Sequence, residues 1–421
     1  MTQPSRPRLL FLSPIYPSGG GTGNQLRTAA IVQLLAQSHD IDLVVITRHD
    51  DVRGPRDPAV ERACRAIYHL NMKRPEEIAE PGKIVPPMGF VPLPQLPVDP
   101  SSPTPLLDYF QAQGMDALFV FTLLTALVVK NYLDRFPIRD LDLDEMPSAR
   151  EDKICRLDLI AGNPRAQRER SLQARLMGRV EGGVIPIFNR VFVASEIERA
   201  RVLRETTQRH VAVLPNILPV RPVSKAPAIS PAPEDGDEIL FVGSLNYPPN
   251  EDAVLHFARD IFPRIRAGAP RPVSFRIVGT DCTPALRKLE SEPGIMVTGY
   301  VDDLVPIYRR ARLAVVPLRA GGGTRLKILE AFFHGCPVVS TTLGAEGLEI
   351  VADRDLLLAD SAEAFAQACL DLLQNPEKAA LLIENGAAYV REKHSPATLA
   401  AAYRAALAAP RFHLTGCHGL G

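Results

Sequence analysis

Twice in this chain an apolar strand pattern runs into a turn, a helix pattern and a second strand, and that arrangement leaves few folds open. The first instance is Arg8–Ser13, a loop at Pro14–Gly23 carrying Gly19, Gly20, Gly21 and Gly23, a helical pattern over Asn24–Gln37, and a strand at Ile41–Thr47. The second opens at Glu238–Gly243, turns through Ser244–Pro249, continues as a helix over Asn250–Arg266 and returns as a strand at Ser274–Val278. Leu26, Ala29, Ala30 and Leu34 recur at helical spacing, whereas the flanking runs have strand length. A strand that returns through a helix pairs in parallel, so both halves predict parallel sheets with helices on their faces. A chain of 421 residues is also too long for one ordinary core. Two α/β domains of about 200 residues each follow from length alone.

Composition narrows the classes. Lys plus Arg and Asp plus Glu balance at 48 each, which argues against a dedicated nucleic-acid binder. The longest apolar stretch, Ala117–Val129, has 13 residues, short of the roughly 20 that span a bilayer. It reads as a buried strand running into a buried helix. The apolar run at Leu9–Leu12 is too short for a signal peptide. Cys64, Cys155, Cys282, Cys336, Cys369 and Cys417 form no Cys-x-x-Cys pair and no zinc-ligand spacing. Free thiols in a cytoplasmic protein, and no metal site, are the expectation.

Two segments break the α/β pattern. Pro75–Pro105 holds ten prolines, a density that no helix or central strand survives, and reads as an excursion from the first domain. Leu214–Asp237, rich in Pro and Ala, reads as an interdomain linker. These place the first domain at 1–214, the linker at 215–237 and the second domain at 238–395. A helix over Arg165–Arg179 carries Arg165, Arg168, Arg170, Arg175 and Arg179. It reads either as a solvated face or as a face for anionic lipid or a phosphorylated acceptor.

The stretch from Leu313 to Gly335 carries the most chemistry. An apolar strand ends at Leu318, and Gly321, Gly322 and Gly323 follow, where backbone can approach a ligand closely. Thr324 is placed to cap a helix over Thr324–His334, and Arg325 and Lys327 add positive charge beside its first-turn N–H groups. Glu330 sits about 9 Å along that helix at 1.5 Å per residue. Phosphates at the helix start with a ribose near Glu330 would suit a nucleoside diphosphate, since a carboxylate accepts from two vicinal hydroxyls. The alternative makes Glu330 a surface residue paired with Lys327 at i+3. Gly335 and Pro337 end the helix.

The C-terminal half resembles the family-four glycosyltransferases, a retaining group with the GT-B fold. The match lies in Phe241–Asn250, Ile277–Asp281, Gly299–Asp303, the glycine-run helix and Pro337–Leu348, in that order. The N-terminal half matches more loosely, in the first strand and glycine loop, in Asp140-Leu-Asp-Leu-Asp-Glu145 and in Val193–Glu196. The resemblance implies two Rossmann-like parallel-sheet domains facing a cleft, with 396–421 supplying a helix that packs back on the first domain and a tail. It implies that Gly243 and Ser244 lie by the diphosphate and that Gly279, Tyr300 and Val301 border the base. Arg325 and Lys327 would neutralise the leaving diphosphate, and Glu330 would bind the ribose. Gly321, Gly322, Gly323 and Thr324 would approach the donor, and Gly344, Ala345 and Glu346 would line the site beside it. The acceptor would meet the first domain near Gly20, Gly21, Thr22, Gly23 and Asn24.

The implied partners are a nucleotide-sugar donor, a glycan or lipid-linked acceptor and a peripheral membrane contact, with no cofactor beyond the donor itself. Two departures stand out. The family usually has a second Glu eight residues before the ribose Glu, where this chain has Gly322, and no His lies between His69 and His210 to act near the reacting centre. Competing readings fare less well. Gly-x-Gly-x-x-Gly fails because Gly21-Thr-Gly23 is followed by Asn24, Gln25 and Leu26, and no P-loop motif exists. A GT-B sugar epimerase or phosphorylase shares the architecture. A catalytically idle relative acting by binding is kept in view by Gly322.

Overall fold

A computed structural model describes residues 6–47, 56–71, 110, 112–218, 236–322 and 325–409. The Pro-rich excursion at 75–105 and most of the expected linker lie outside them. The described chain divides into two compact units.

The first unit takes in residues up to Met146, then Gly178–Ile217, and the segment from Pro396. Its sheet has seven strands: β1 (Arg8–Ser13), β2 (Asp40–Thr47), β3 (Cys64–Asn71), β4 (Ala117–Phe121), β5 (Ile138–Asp144), β6 (Arg190–Val193) and β7 (Val211–Val213). They lie in the order β3-β2-β1-β4-β5-β6-β7, all in parallel. The apolar stretch Ala117–Val129 divides into β4 and a helix over Leu123–Val129. Phe11, Phe119 and Phe192 stack across β1, β4 and β6 at centroid spacings of 5.1 and 5.9 Å. Tyr403, on the helix Pro396–Ala408, closes that stack 5.8 Å from Phe192.

The acidic run at Asp140–Glu145 has a structural use here. Strand periodicity places Asp140 and Asp142 on one face of β5. Arg190 grips Asp140 through two bonds of 3.0 and 2.7 Å. Arg27 grips Asp142 through two of 3.0 and 2.9 Å, and donates to the Leu214 carbonyl and the Asn216 side chain. Leu214, Asn216, Ile217 and Leu218 are buried, so the start of the expected linker is packed chain.

The second unit is Pro147–Met177 with Leu218–Ser395. This corrects the expected boundary, which gave everything before the linker to the first domain. The helix Pro147–Ile160 packs on the helix Pro248–His256, and Lys153 donates to Glu346 at 2.5 Å. The helix Pro164–Val184 then runs back into the first unit. The six strands of the second sheet are β8 (Asp237–Val242), β9 (Val273–Val278), β10 (Ile295–Gly299), β11 (Leu313–Val316), β12 (Val338–Ser340) and β13 (Leu357–Leu358). Their order is β10-β9-β8-β11-β12-β13, again parallel throughout. The order reverses between β8 and β11, and ligands of open α/β sheets bind outside the carboxyl ends of strands at such a point. Phe241, Phe257, Phe275, Ile277, Val315, Leu329 and Phe332 fill the core around it.

Arg27 and Asp142 are 2% and 0% exposed, so the pair has left water entirely. Replacing Arg27 with Met strands the buried carboxylate and is expected to cost about 3–5 kcal/mol, read from the urea unfolding midpoint. The double variant Arg27→Met/Asp142→Leu is expected to recover most of that loss. A single variant that unfolds at the wild-type midpoint would show that the pair is not a linchpin of this unit.

Candidate active site at the switch point of the second sheet

Gly243 and Gly279 follow β8 and β9, and the two strand ends converge. A Cβ built on Gly279 would stand 1.7 Å from the Gly243 carbonyl oxygen. No side chain fits there, so the residue must be glycine. The approach is held by Gly243 N donating to Val278 O at 3.0 Å and Gly279 N donating to Gly299 O at 2.9 Å. Ser244 Oγ donates to Asn246 at 2.9 Å. Tyr300 is 63% exposed beyond the end of β10, while Val301 packs on the core.

Lys327 reaches this same place from the helix Leu326–Phe333. Its Nζ lies 4.2 Å over the Phe241 ring and donates to Asn250 Oδ1 at 2.7 Å. Asn250 in turn donates from Nδ2 to Ser244 O at 2.9 Å. A Cβ on Gly243 would meet the Lys327 ammonium at 3.1 Å, so the bare backbone of Gly243 makes the room it occupies. Burial, with the Arg325 charge beside it, pulls Lys327 down to about 7. Burial pushes Glu330, on the next turn, up to about 7, against the pull of Lys327.

The i+3 pairing of Lys327 with Glu330 does not form. Lys327 turns to Asn250 instead, and among the described residues the Glu330 carboxylate has no hydrogen-bond or ion-pair partner. A half-buried carboxylate therefore lies one helical turn from a desolvated ammonium. The helix starts at Leu326, two residues later than expected, with Arg325 at its N-cap. Glu330 is therefore about 6 Å along it, not 9 Å. Gly323 and Thr324, the expected cap, lie outside the described residues.

Arg325 is buried and faces its own loops. It donates to Gly322 O at 2.6 Å, Gly321 O at 2.9 Å and Leu343 O at 3.1 Å. One guanidinium thus ties the glycine run to the loop holding Gly344, Ala345 and Glu346. Gly344 fills a gap that admits no side chain, since a Cβ would lie 2.5 Å from both Ser340 Oγ and Val316 O. The Gly344 N–H donates to Thr341 Oγ1 at 2.8 Å, and Ala345 is buried. Glu346 is held by Lys153, from a helix that no sequence pattern connected to this loop. Arg319 clamps Asp252 with bonds of 3.0 and 2.6 Å, fixing the strand-to-glycine turn on the helix after β8.

The first unit's glycine loop is built differently. Its helix begins at Gly23, and Thr22 N donates to Gln25 Oε1 at 2.9 Å. Gly19 N donates to Asp57 at 2.6 Å and Gly20 N to Ser18 Oγ at 3.3 Å, so protein side chains already take these donors. Gly21 is crowded by Gln25 and Asn24 follows in the first turn. Asn250 and Phe241, which hold the Lys327 ammonium, escaped sequence reading. The signal was present only as membership of the Phe241–Asn250 segment, with nothing to show that its two ends meet a lysine from a distant helix. Among the described residues no cluster of three or more His, Cys, Asp or Glu side chains could hold a metal ion.

Gly279→Ala forces two strand ends apart and is expected to destabilise the fold by about 1–3 kcal/mol, checked by chemical denaturation. An alanine variant with unchanged stability would mean the strand ends part freely.

Residues 236–375 match the family model described as Glycosyl transferases group 1. An uncharacterised 44.6 kDa protein in the cps region of Klebsiella pneumoniae is 24% identical over 164 residues, taking in 37% of this chain and 42% of that protein. The chain thus spans about two fifths of the length of that curated relative. Among solved structures, sucrose-phosphate synthase from Thermosynechococcus elongatus superposes with a TM-score of 0.64 at 18% identity, over 96% of this chain and 100% of that one. Anabaena HepE, in complex with UDP and glucose, gives 0.61 at 14% identity, over 95% and 99%. S. aureus TarM, in a complex that includes UDP, gives 0.61 at 11%, over 95% and 100%. Residues 236–375 therefore match the glycosyl transferases group 1 family, and the chain that carries them shares the GT-B fold of these solved structures.

Proposed function

We propose that this protein is a family-four glycosyltransferase that moves a sugar from a nucleoside-diphosphate-sugar to a glycan or lipid-linked acceptor with retention of configuration. The observation that carries the reading is the pair Lys327 and Glu330. The ammonium is desolvated beside Gly243, and one turn away the carboxylate has no hydrogen-bond or ion-pair partner among the described residues. A diphosphate satisfies the first and ribose hydroxyls the second. UDP is the nucleotide to test first, because HepE and TarM were solved with it.

The reaction breaks the bond between the anomeric carbon and the diphosphate oxygen. Negative charge gathers on the leaving phosphate as the sugar takes on oxocarbenium character, so stabilising that charge is the main task. Lys327 is assigned the direct contact. Arg325 is assigned a supporting charge behind it while holding both donor loops in place. The departing phosphate can accept the acceptor's proton, and no carboxylate pair of glycosidase type is required. Activity is expected to persist in a chelator. The family resemblance and the cps-region relative favour a place in polysaccharide assembly on the cytoplasmic side, with a lipid-linked acceptor bringing the protein to the membrane as a peripheral contact. Gly322, where the family has Glu, favours one second reading, an idle relative that binds donor without turning it over.

A thermal-shift panel with UDP, GDP, ADP and dTDP on wild type and Glu330→Gln tests the site. Nucleotide at 100 times its dissociation constant is expected to add roughly 2.7 kcal/mol to apparent stability, and clearly less in the variant. If no nucleotide shifts the wild type, the transferase reading falls. If one binds but its sugar form is never consumed with any acceptor, the idle reading takes over.

Proton linkage gives a signed check. Free Glu330 is protonated below its pKa of about 7, and contact with ribose hydroxyls favours the ionised form, so binding at pH 6 is expected to release a proton. Free Lys327 is neutral above about 7, and the diphosphate favours its charged form, so binding at pH 8 is expected to take one up. A nucleotide-sugar suits this calorimetric measurement, because its doubly esterified diphosphate does not titrate in the window. Lys327→Met is expected to abolish the uptake and leave the release. Equal proton exchange at both pH values would overturn the assignment.

A further inference from the structure

Four of the exposed large apolar side chains fall within one short stretch: Leu159 at 62%, Ile160 at 52%, Leu172 at 54% and Leu176 at 52% exposure. They lie on a helical hairpin of the second unit, formed by Pro147–Ile160 and the first part of Pro164–Val184. Isolated exposed leucines mean nothing, but leucines that share one exposed helix side with several arginines do.

Helical spacing sorts the arginines. Arg165, Arg168, Leu172, Arg175 and Leu176 stand at i, i+3, i+7, i+10 and i+11, which is one side of the helix. The three arginines on that side are exposed, and Ala174, on the opposite side, is buried. Arg170 is excluded from the outward face, because it turns inward to Asp158 at 2.7 Å and Glu151 at 3.3 Å. Glu169 offsets part of the charge through its contact with Arg165 at 3.0 Å. The inner side of the hairpin is anchored by Lys153 on Glu346, so the outward face is carried on the unit that holds the candidate donor site.

We infer that this face docks on an anionic phospholipid surface, with Leu172 and Leu176 entering the headgroup boundary and Arg165, Arg168 and Arg175 pairing with lipid phosphates. Charge complementarity selects the occupant. Arginine beside leucine on one exposed helix side matches a membrane whose surface is negative and whose boundary is apolar. The inference deepens the peripheral contact proposed above and does not depend on which nucleotide or sugar the donor site takes.

Sedimentation of the full chain with vesicles tests it. Binding is expected to vesicles of phosphatidylcholine with phosphatidylglycerol, to be absent with phosphatidylcholine alone, and to weaken as salt rises. Arg168→Gln/Arg175→Gln is expected to lower partitioning about 30-fold, from about a fivefold loss per arginine near the surface. Leu172→Ser/Leu176→Ser is expected to remove the binding that survives in salt. Exposed arginines elsewhere, in Arg204→Gln/Arg259→Gln, are expected to change partitioning little. All the variants are at exposed positions, and unchanged circular dichroism and unchanged nucleotide thermal shifts separate loss of docking from loss of fold or of the donor site. No binding by the wild type, binding that the two face variants leave intact, or a change of oligomeric state in the leucine variant in place of vesicle binding would each overturn it.

Discussion

Lys327 holds an ammonium group where water is scarce, and much of the second unit's architecture follows from keeping it there. The cost of desolvating a cation is met by an amide oxygen from Asn250 and by the face of Phe241. Asn250 is fixed by the Ser244 carbonyl. The space exists only because Gly243 has no side chain, and Gly243 can lie there only because Gly279 has none either. Three strand ends, one turn and one helix are therefore constrained by a single charge at the point where strand order reverses. The carboxylate of Glu330, lifted toward neutrality by the same burial, lies one turn further along the helix.

Arg325 and Lys327 share a helix start and have different work. Lys327 points at the strand ends and Arg325 points back into the loops. A guanidinium suits the second task, since its planar fork meets several carbonyls at once, whereas an ammonium suits a compact single contact. Arg325 stands at the N-cap in a non-helical conformation while Lys327 lies within the helix, so the two charges leave the chain in different directions. The clamp from Arg325 to Leu343 and the link from Lys153 to Glu346 bring the loop after β12 under control of two distant segments.

Much was legible in advance, because it rested on local periodicity. The two β-loop-α-β openings, the buried stretch split between β4 and a helix, and the glycine-run helix all follow from spacing within about twenty residues. Errors lay where local pattern gives no information. The helix over Leu326–Phe333 starts two residues late, because Arg325 is spent on capping its own loops and takes a non-helical conformation. Strand β3 at Cys64–Asn71 lies at the edge of its sheet, and its residues, with Ala66, Ile67 and Tyr68 in succession, show no clean two-residue alternation. The hairpin at 147–177 joins the second unit although the chain around it belongs to the first, a choice made by packing partners far away in sequence.

By itself the sequence determined two parallel α/β units and a helix that follows a glycine run and carries Lys327 and Glu330, since each depends on neighbours within one strand-helix step. Only the tertiary structure decided that Lys327 abandons Glu330 for Asn250, that Asp140 and Asp142 serve as buried anchors for Arg190 and Arg27, and that Lys153 reaches Glu346. Those choices compare a local partner with a distant one. The winner is the group that best replaces lost water, which depends on burial, a quantity that no stretch of sequence contains.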